Sequence, residues 1–229
     1  MSNVLNEMQQ LRLLFIKWSN FDLVEAEKMY DFVVNKQPKK LGMPVVKDGP
    51  DGIYFILSPK NIIHESLATD EDKRNSIAVG VKMGNKFANV TLNDAVEGRK
   101  IKLCNDDKSS DKITGVNPCD FCNAISDWNG IENTNKLRNE LNPDIDLREN
   151  EYIPSMAQLF LIMLNIKDIN KALEEAGGTL IKEEWYWSST RDSEDYGWIV
   201  SFEGACDTMY KSDTELIRTS VICEFDNIN

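Results

Sequence analysis

The chain reads as α+β: antiparallel strands and two core helices, preceded by an N-terminal helical segment. Three observations lead there. The hydrophobic period is helical near the start, short and extended from Gly52, helical again over Ile153 to Ala176, and alternating from Trp185 to Phe225. Helices followed by a terminal run of strands separate this class from a regular β-α alternation. A length of 229 residues, 41% of them hydrophobic, suffices for one full domain with an appendage.

Val4, Met8, Leu11, Phe15 and Trp18 follow one another at spacings of 4, 3, 4 and 3, the heptad stripe of a coiled coil. They are the candidate oligomerisation face. Asp22 with Glu25 has the spacing of a capping box, so a second helix begins there, with Leu23, Ala26, Tyr30 and Val33 on its apolar side. Residues 1–35 are therefore a helical anchoring or oligomerisation segment. Residues 36–50, with Pro38, Gly42, Pro44, Gly49 and Pro50, cannot continue a helix and form a linker.

Residues 51–229 make the main domain. Gly52 to Leu57 is a compact apolar run bounded by turn residues, the pattern of a buried strand. Ile77 to Met83 and Phe87 to Leu92 flank Gly84-Asn85, which predicts a hairpin. From Asn93 to Asn117 the chain reads as loop, and Cys119 to Trp128 as helix-like. Ile153 to Ala176 predicts two core helices split at Asn165, capped by Ser155 and stopped by Gly177-Gly178. Beyond them Trp198, Val200 and Phe202 alternate with Ile199, Ser201 and Glu203, and Val221, Cys223 and Phe225 with Ile222 and Glu224.

There are 26 basic and 38 acidic residues, a net charge of −12, which argues against a nucleic-acid or anionic-membrane partner, since such partners demand a basic face. The start lacks a secretory pattern, and no stretch has the ~18 apolar residues of a membrane span, so folding in a cytoplasm is expected. Five cysteines, an odd number, fit reduced thiols better than a disulfide framework.

Reactive constellations are scarce. Cys119 and Cys122 offer two metal donors from one turn, but the second pair of a zinc site is missing, so no metal and no cofactor are assigned. Glu183, Glu184, Asp192, Glu194, Asp195 and Glu203 cluster near the late aromatic phrase, and two carboxylates across a cleft would suit glycoside hydrolysis. In so acidic a chain such a cluster is expected to be a solvated face. His64, the single histidine, has no nucleophile motif to serve, so an enzyme is not expected. Among the late aromatics, Trp187 and Trp198 are expected in the core. Trp185, Tyr186, Tyr196 and Tyr210, with Arg191, Asp192, Glu194 and Asp195, are the candidate ligand-binding residues.

A series of phrases then gives the chain a family likeness: Ile153-Pro154-Ser155-Met156-Ala157-Gln158-Leu159, Asn170 to Thr179, Tyr186-Trp187-Ser188-Ser189-Thr190, and Gly197-Trp198-Ile199-Val200-Ser201-Phe202. In this order they resemble the family typified by the C-terminal domain of collagen-like bacterial adhesins, whose fold is C-type-lectin-like. The likeness covers about residues 51 to 226. It departs in the terminal strand, where only Arg218 of the usual pattern is kept, and in the acidic stretch Ser193 to Tyr196. The sugar-binding triplets of calcium-dependent lectins do not occur; Asp127-Trp128-Asn129 and Asn142-Pro143-Asp144 are only loosely similar. The resemblance implies a scaffold that displays side chains for binding, used by bacterial adhesins and bacteriophage virion proteins. The resulting expectation is a non-enzymatic virion protein, fibre-like at head or tail, assembled in host cytoplasm. Its expected partners are itself, as a homo-oligomer and by preference a trimer, other virion proteins, and a host-surface glycan or protein. A bacterial surface adhesin with the same domain is the alternative.

Overall fold

The structure, a computed structural model, describes residues 49–104, 121–193 and 195–223. The helical segment expected over 1–35, its stripe Val4, Met8, Leu11, Phe15 and Trp18, and Cys119 of the candidate metal pair lie outside those residues. What is described is a mixed α and β arrangement with antiparallel sheets, the expected α+β class.

Strands β1 (Gly52–Ser58), β2 (Asn61–His64), β3 (Ala78–Met83) and β4 (Lys86–Thr91) make one sheet in the order β2-β1-β3-β4. The predicted hairpin joins β3 to β4, with Met83 opposite Lys86. The apolar run of β1 is unbroken because both its faces are covered. Ile53 and Phe55 enter the main core, while Tyr54 and Ile56 join Ile62, Ala78, Phe87, Val221 and Cys223 in a smaller one. Gly80 of β3 is required by that smaller core, since a Cβ there would lie 2.4 Å from the Phe87 ring. A short helix α1 (Asp70–Arg74) links β2 to β3. It has no buried residue, hence no apolar period in the sequence; its signal is the Thr69/Asp72 capping box.

The stretch expected as loop holds more order than its composition suggests. Ala95–Gly98 is a tight turn with Val96, Glu97 and Gly98 all at positive φ (53°, 56° and 71°), and β5 (Ile101–Lys102) follows. Helix α2 (Phe121–Ala124) is shorter than expected, and α3 (Gly130–Leu137) was not signalled by a strong period. After β6 (Glu151–Tyr152) come the two anticipated helices, α4 (Met156–Leu164) and α5 (Ile166–Glu175), parted at Asn165. Gln158 Oε1 accepts from the Ser155 backbone N–H at 2.9 Å, which fixes the start of α4. From Met156 to Met163 every residue of α4 is buried, so an apolar surface all round marks a helix enclosed on every side. It packs on β3 and β4 on one side and on the second sheet on the other.

That second sheet is β7 (Trp185–Arg191), β8 (Tyr196–Ser201) and β9 (Ala205–Tyr210), in the order β7-β8-β9. Trp198, Val200 and Phe202 face the main core, while Trp187 and Ile199 face a second core with Leu103, Ile153 and Ile217. The alternation of β8 therefore sorts residues between two cores rather than between core and water. Strand β10 (Thr214–Glu215) pairs with β5, and β11 (Ser220–Val221) with β6. The long terminal alternation through Phe225 is a two-residue strand within the described residues. Asn89 of β4 replaces a ladder partner: its Oδ1 accepts from Val221 N–H at 2.8 Å and its Nδ2 donates to Val221 O at 3.0 Å.

Arg218 locks this closing segment. It is 1% exposed and donates to Thr91 O (2.9 Å), Leu92 O (2.8 Å), Thr179 O (2.8 Å), Thr179 Oγ1 (3.2 Å) and Asp94 Oδ1 (2.7 Å). All the donors of a guanidinium are thereby used in fixed directions, a task lysine cannot perform.

Candidate functional site

The phrase Trp187 to Thr190 is scaffold rather than binding surface. The β7–β8 register shifts between Trp187 and Arg191, and hydroxyls replace the lost ladder bonds. Ser188 Oγ donates to Trp198 O at 2.8 Å and accepts from Thr190 N–H at 3.2 Å. Thr190 Oγ1 accepts from Met156 N–H at 2.8 Å and donates to Asp127 Oδ2 at 2.7 Å. Asp127 also accepts from Asn133 Nδ2 at 2.6 Å, Asn129 N–H at 2.9 Å and Asn129 Nδ2 at 3.1 Å. Oδ2 of Asp127 thus ties α3 to β7, while Oδ1 holds Asn129 at the start of α3. The Trp187 indole donates to Ile101 O at 3.2 Å inside the second core.

The exposed candidate site is the end of the β7–β8 hairpin with the end of β9. Tyr196 and Tyr210 are direct cross-strand partners, and their rings lie 4.0 Å apart at 37°. Tyr210 is 50% exposed and Tyr196 is partly so. Hydrogen bonding between the two hydroxyls, then partial burial and the charges of Asp195 and Asp213, push the Tyr196 phenol up to about 12. Tyr196 therefore presents a neutral, polar-tipped ring at ordinary pH, stacked on Tyr210. Asp192 and Asp195 flank them in the turn.

Two buried cations hold this turn from behind. Arg191 Nε donates to Ser193 O, and Lys211 Nζ approaches the same oxygen at 3.5 Å. Lys211 is 4% exposed; its N–H donates to Asp195 O at 2.9 Å, and its carbonyl accepts from Leu103 N–H (3.1 Å) and Cys104 N–H (3.3 Å). Burial, and less so neighbouring Arg191, push its ammonium below the usual lysine range. Asp192 N–H and Ser193 N–H both donate to Tyr196 O, at 3.1 and 3.2 Å. The tyrosine pair thus stands on a braced turn.

No family model, curated protein or solved structure matches this chain.

The eight candidate ligand-binding residues divide on the fold. Asp192, Asp195, Tyr196 and Tyr210 come together at the hairpin end. Tyr186 does not: its side chain is fully buried, its ring meets Phe202 edge-on at 5.2 Å, and its hydroxyl accepts from Lys182 N–H at 3.1 Å. The odd-even pattern of β7 decides this, since Trp185 and Trp187 take the opposite face. Arg191, 8% exposed, supports the turn instead of facing a ligand. Trp185 packs on the second core at the far end of β7, about 20 Å from the turn at ~3.3 Å per residue. Glu194 lies outside the described residues. Trp187 and Trp198 are core, at 0% and 8% exposure. Lys211 and Asp213 belong to the site although neither stands out in sequence, because only the β8–β9 register brings them beside Tyr196.

Burial raises the thiols of Cys104 to about 11 and of Cys206 and Cys223 to about 12. They are thus protonated and poorly nucleophilic at neutral pH. Among the described residues no group of three metal-ligating side chains converges, and no helix is long and apolar enough to cross a membrane.

Proposed function

We propose that this chain is a non-enzymatic binding protein with a C-type-lectin-like domain, and that it serves as a head- or tail-fibre-like bacteriophage virion protein. In this reading the Tyr196–Tyr210 pair, flanked by Asp192, Asp195 and Asp213, contacts a glycan or protein on the host surface. The observation that carries the binding role is the braced, half-exposed tyrosine stack. Aromatic rings with a polar tip give large contact area with little conformational freedom to lose, which suits a sugar face or a protein hot spot. The protonated thiols support a role without covalent chemistry. The virion setting and the oligomer, a trimer formed through residues 1–35, rest on the family resemblance and on the heptad stripe.

Three measurements test this. Full-length protein on a glycan array and on whole host cells is expected to bind, and Tyr196→Ala with Tyr210→Ala is expected to abolish binding; retained binding overturns the site. Mass spectrometry of purified particles is expected to contain the chain; its recovery on a bacterial surface instead favours an adhesin. Sizing the intact chain beside one lacking residues 1–35 tests the oligomer, and an unchanged size overturns that role.

A further inference from the structure

Between Arg191 and Glu215 charge is sorted by depth. Among the described residues of that stretch the two cations, Arg191 and Lys211, are 8% and 4% exposed, whereas Asp195, Glu203, Asp207 and Asp213 are all exposed. Both cations turn to the Ser193 carbonyl behind the hairpin end. What this end of the sheet shows outside is therefore carboxylate, set around an aromatic centre.

Asp195 and Asp213 stand nearest that centre. Asp195 directly precedes Tyr196, and Asp213 N–H donates to Tyr210 O at 2.8 Å, which folds Asp213 back over the end of β9. The negative charge of both reaches the Tyr196 hydroxyl, where it helps to keep the phenol protonated. The Tyr196 ring covers one side of Tyr210 and leaves Tyr210 half exposed, so a ligand has one flat aromatic face to meet, rimmed by charge of a single sign.

Resting on the reading of the tyrosine pair as a binding surface, we infer that its ligand is a host-surface protein engaged through an arginine side chain, the guanidinium laid on the Tyr210 ring and held at its edge by the Asp195 and Asp213 carboxylates. A guanidinium suits both halves of the surface. It is flat and weakly hydrated, so it stacks on an aromatic face while its N–H groups donate in plane to carboxylates. A lysine ammonium, a strongly hydrated point charge, gains less from a flat ring. A neutral sugar gains the ring contact but nothing from the sign of the surrounding charge, and an anionic glycan is repelled by it. The braced turn favours any such contact, since a rigid ring pair has little freedom left to lose.

Two readouts on the full-length protein test this: binding to host cells, and nuclear magnetic resonance of isotope-labelled tyrosine rings titrated with acetyl-Gly-Arg-Gly-amide, acetyl-Gly-Lys-Gly-amide or methyl N-acetylglucosaminide. The arginine peptide is expected to shift the Tyr210 ring signals saturably, at least about threefold more tightly than the lysine peptide. Asp195→Asn with Asp213→Asn should weaken both peptide and cell binding about tenfold. Asp213→Asn alone, which leaves the turn at Asp195 untouched, should weaken them about two- to fivefold, the range of an exposed ion pair. Glu174→Gln removes the same charge from an exposed position on α5 and should change neither readout; an equal loss there would assign the binding to net charge and overturn the inference. Cell binding lost in Tyr196→Ala with Tyr210→Ala yet kept in the double aspartate variant overturns the arginine and leaves the tyrosine site standing. Saturation by the sugar and not by the arginine peptide does the same, in favour of a glycan. Cell binding kept in the tyrosine variant overturns the site itself, and the arginine with it.

Discussion

The hairpin end and the closing segment are held by the same device, a buried cation on backbone carbonyls, yet they use it to opposite ends. Arg218 closes the C-terminal strand onto β4, and all five of its contacts, including the Asp94 carboxylate, are internal. Arg191 and Lys211 converge on the single carbonyl of Ser193, and what they brace is the exposed pair Tyr196 and Tyr210. The first region is a lock and the second a mount. A buried cation thus marks rigidity, and whether that rigidity serves stability or display depends on what stands on its outer side.

The comparison breaks first at Arg218. Arg218→Met leaves Asp94 buried without a partner and should cost about 3–5 kcal/mol, read from urea unfolding. Adding Asp94→Asn should recover part of the loss, because the stranded charge is then gone. A loss below about 1 kcal/mol would mean the closing segment is held by its apolar contacts.

Thiols sharpen the contrast by pH. The folded-state value of Cys223 is raised from 9.0 to about 12, so its contribution is present in full below about pH 9 and is lost as pH climbs toward 12. Unfolding free energy should therefore fall with rising pH across that window, and Cys223→Ala should make the fall shallower. Lys211 acts in the opposite sense: its folded value is lowered, so its penalty is present at neutral pH and relieved as pH rises toward the ordinary lysine value. Lys211→Met should remove that gain and leave a steeper alkaline decline.

At the mount, Tyr210→Ala removes a half-exposed cross-strand partner and should cost about 0.2–1 kcal/mol in stability. Binding to host cells should nevertheless fall at least about tenfold, measured on the same preparation. The smallest effect is expected at Glu97, which is exposed at φ 56° beside the lock. Glu97→Gly relieves a conformation that glycine adopts freely, and should raise unfolding free energy by roughly 0.5–1 kcal/mol.

Much of the architecture was legible before folding. The core helices, their break at Asn165 and their capping residue, the β3–β4 hairpin, and the core positions of Trp187 and Trp198 all follow from local patterns that structure preserves. Short elements escaped: β2, β5, β10 and α1 carry too few residues for a period to show. The candidate site was half legible. Tyr196, Tyr210, Asp192 and Asp195 were named from aromatic and acidic clustering. Tyr186 was misplaced because β7 is covered on both faces, which a strand's own alternation cannot reveal.

What the sequence by itself determined, then, is what depends on neighbours a few residues away: periods, caps and turns. Only the tertiary structure decided which of two equally apolar strand faces meets which core. It alone brought Arg218 to Asp94 across 124 residues, and Lys211 to Ser193 across 18. Those pairings depend on sheet register and chain crossing, and no local pattern encodes either, because the groups that meet carry no mark of each other until the backbone has folded around them.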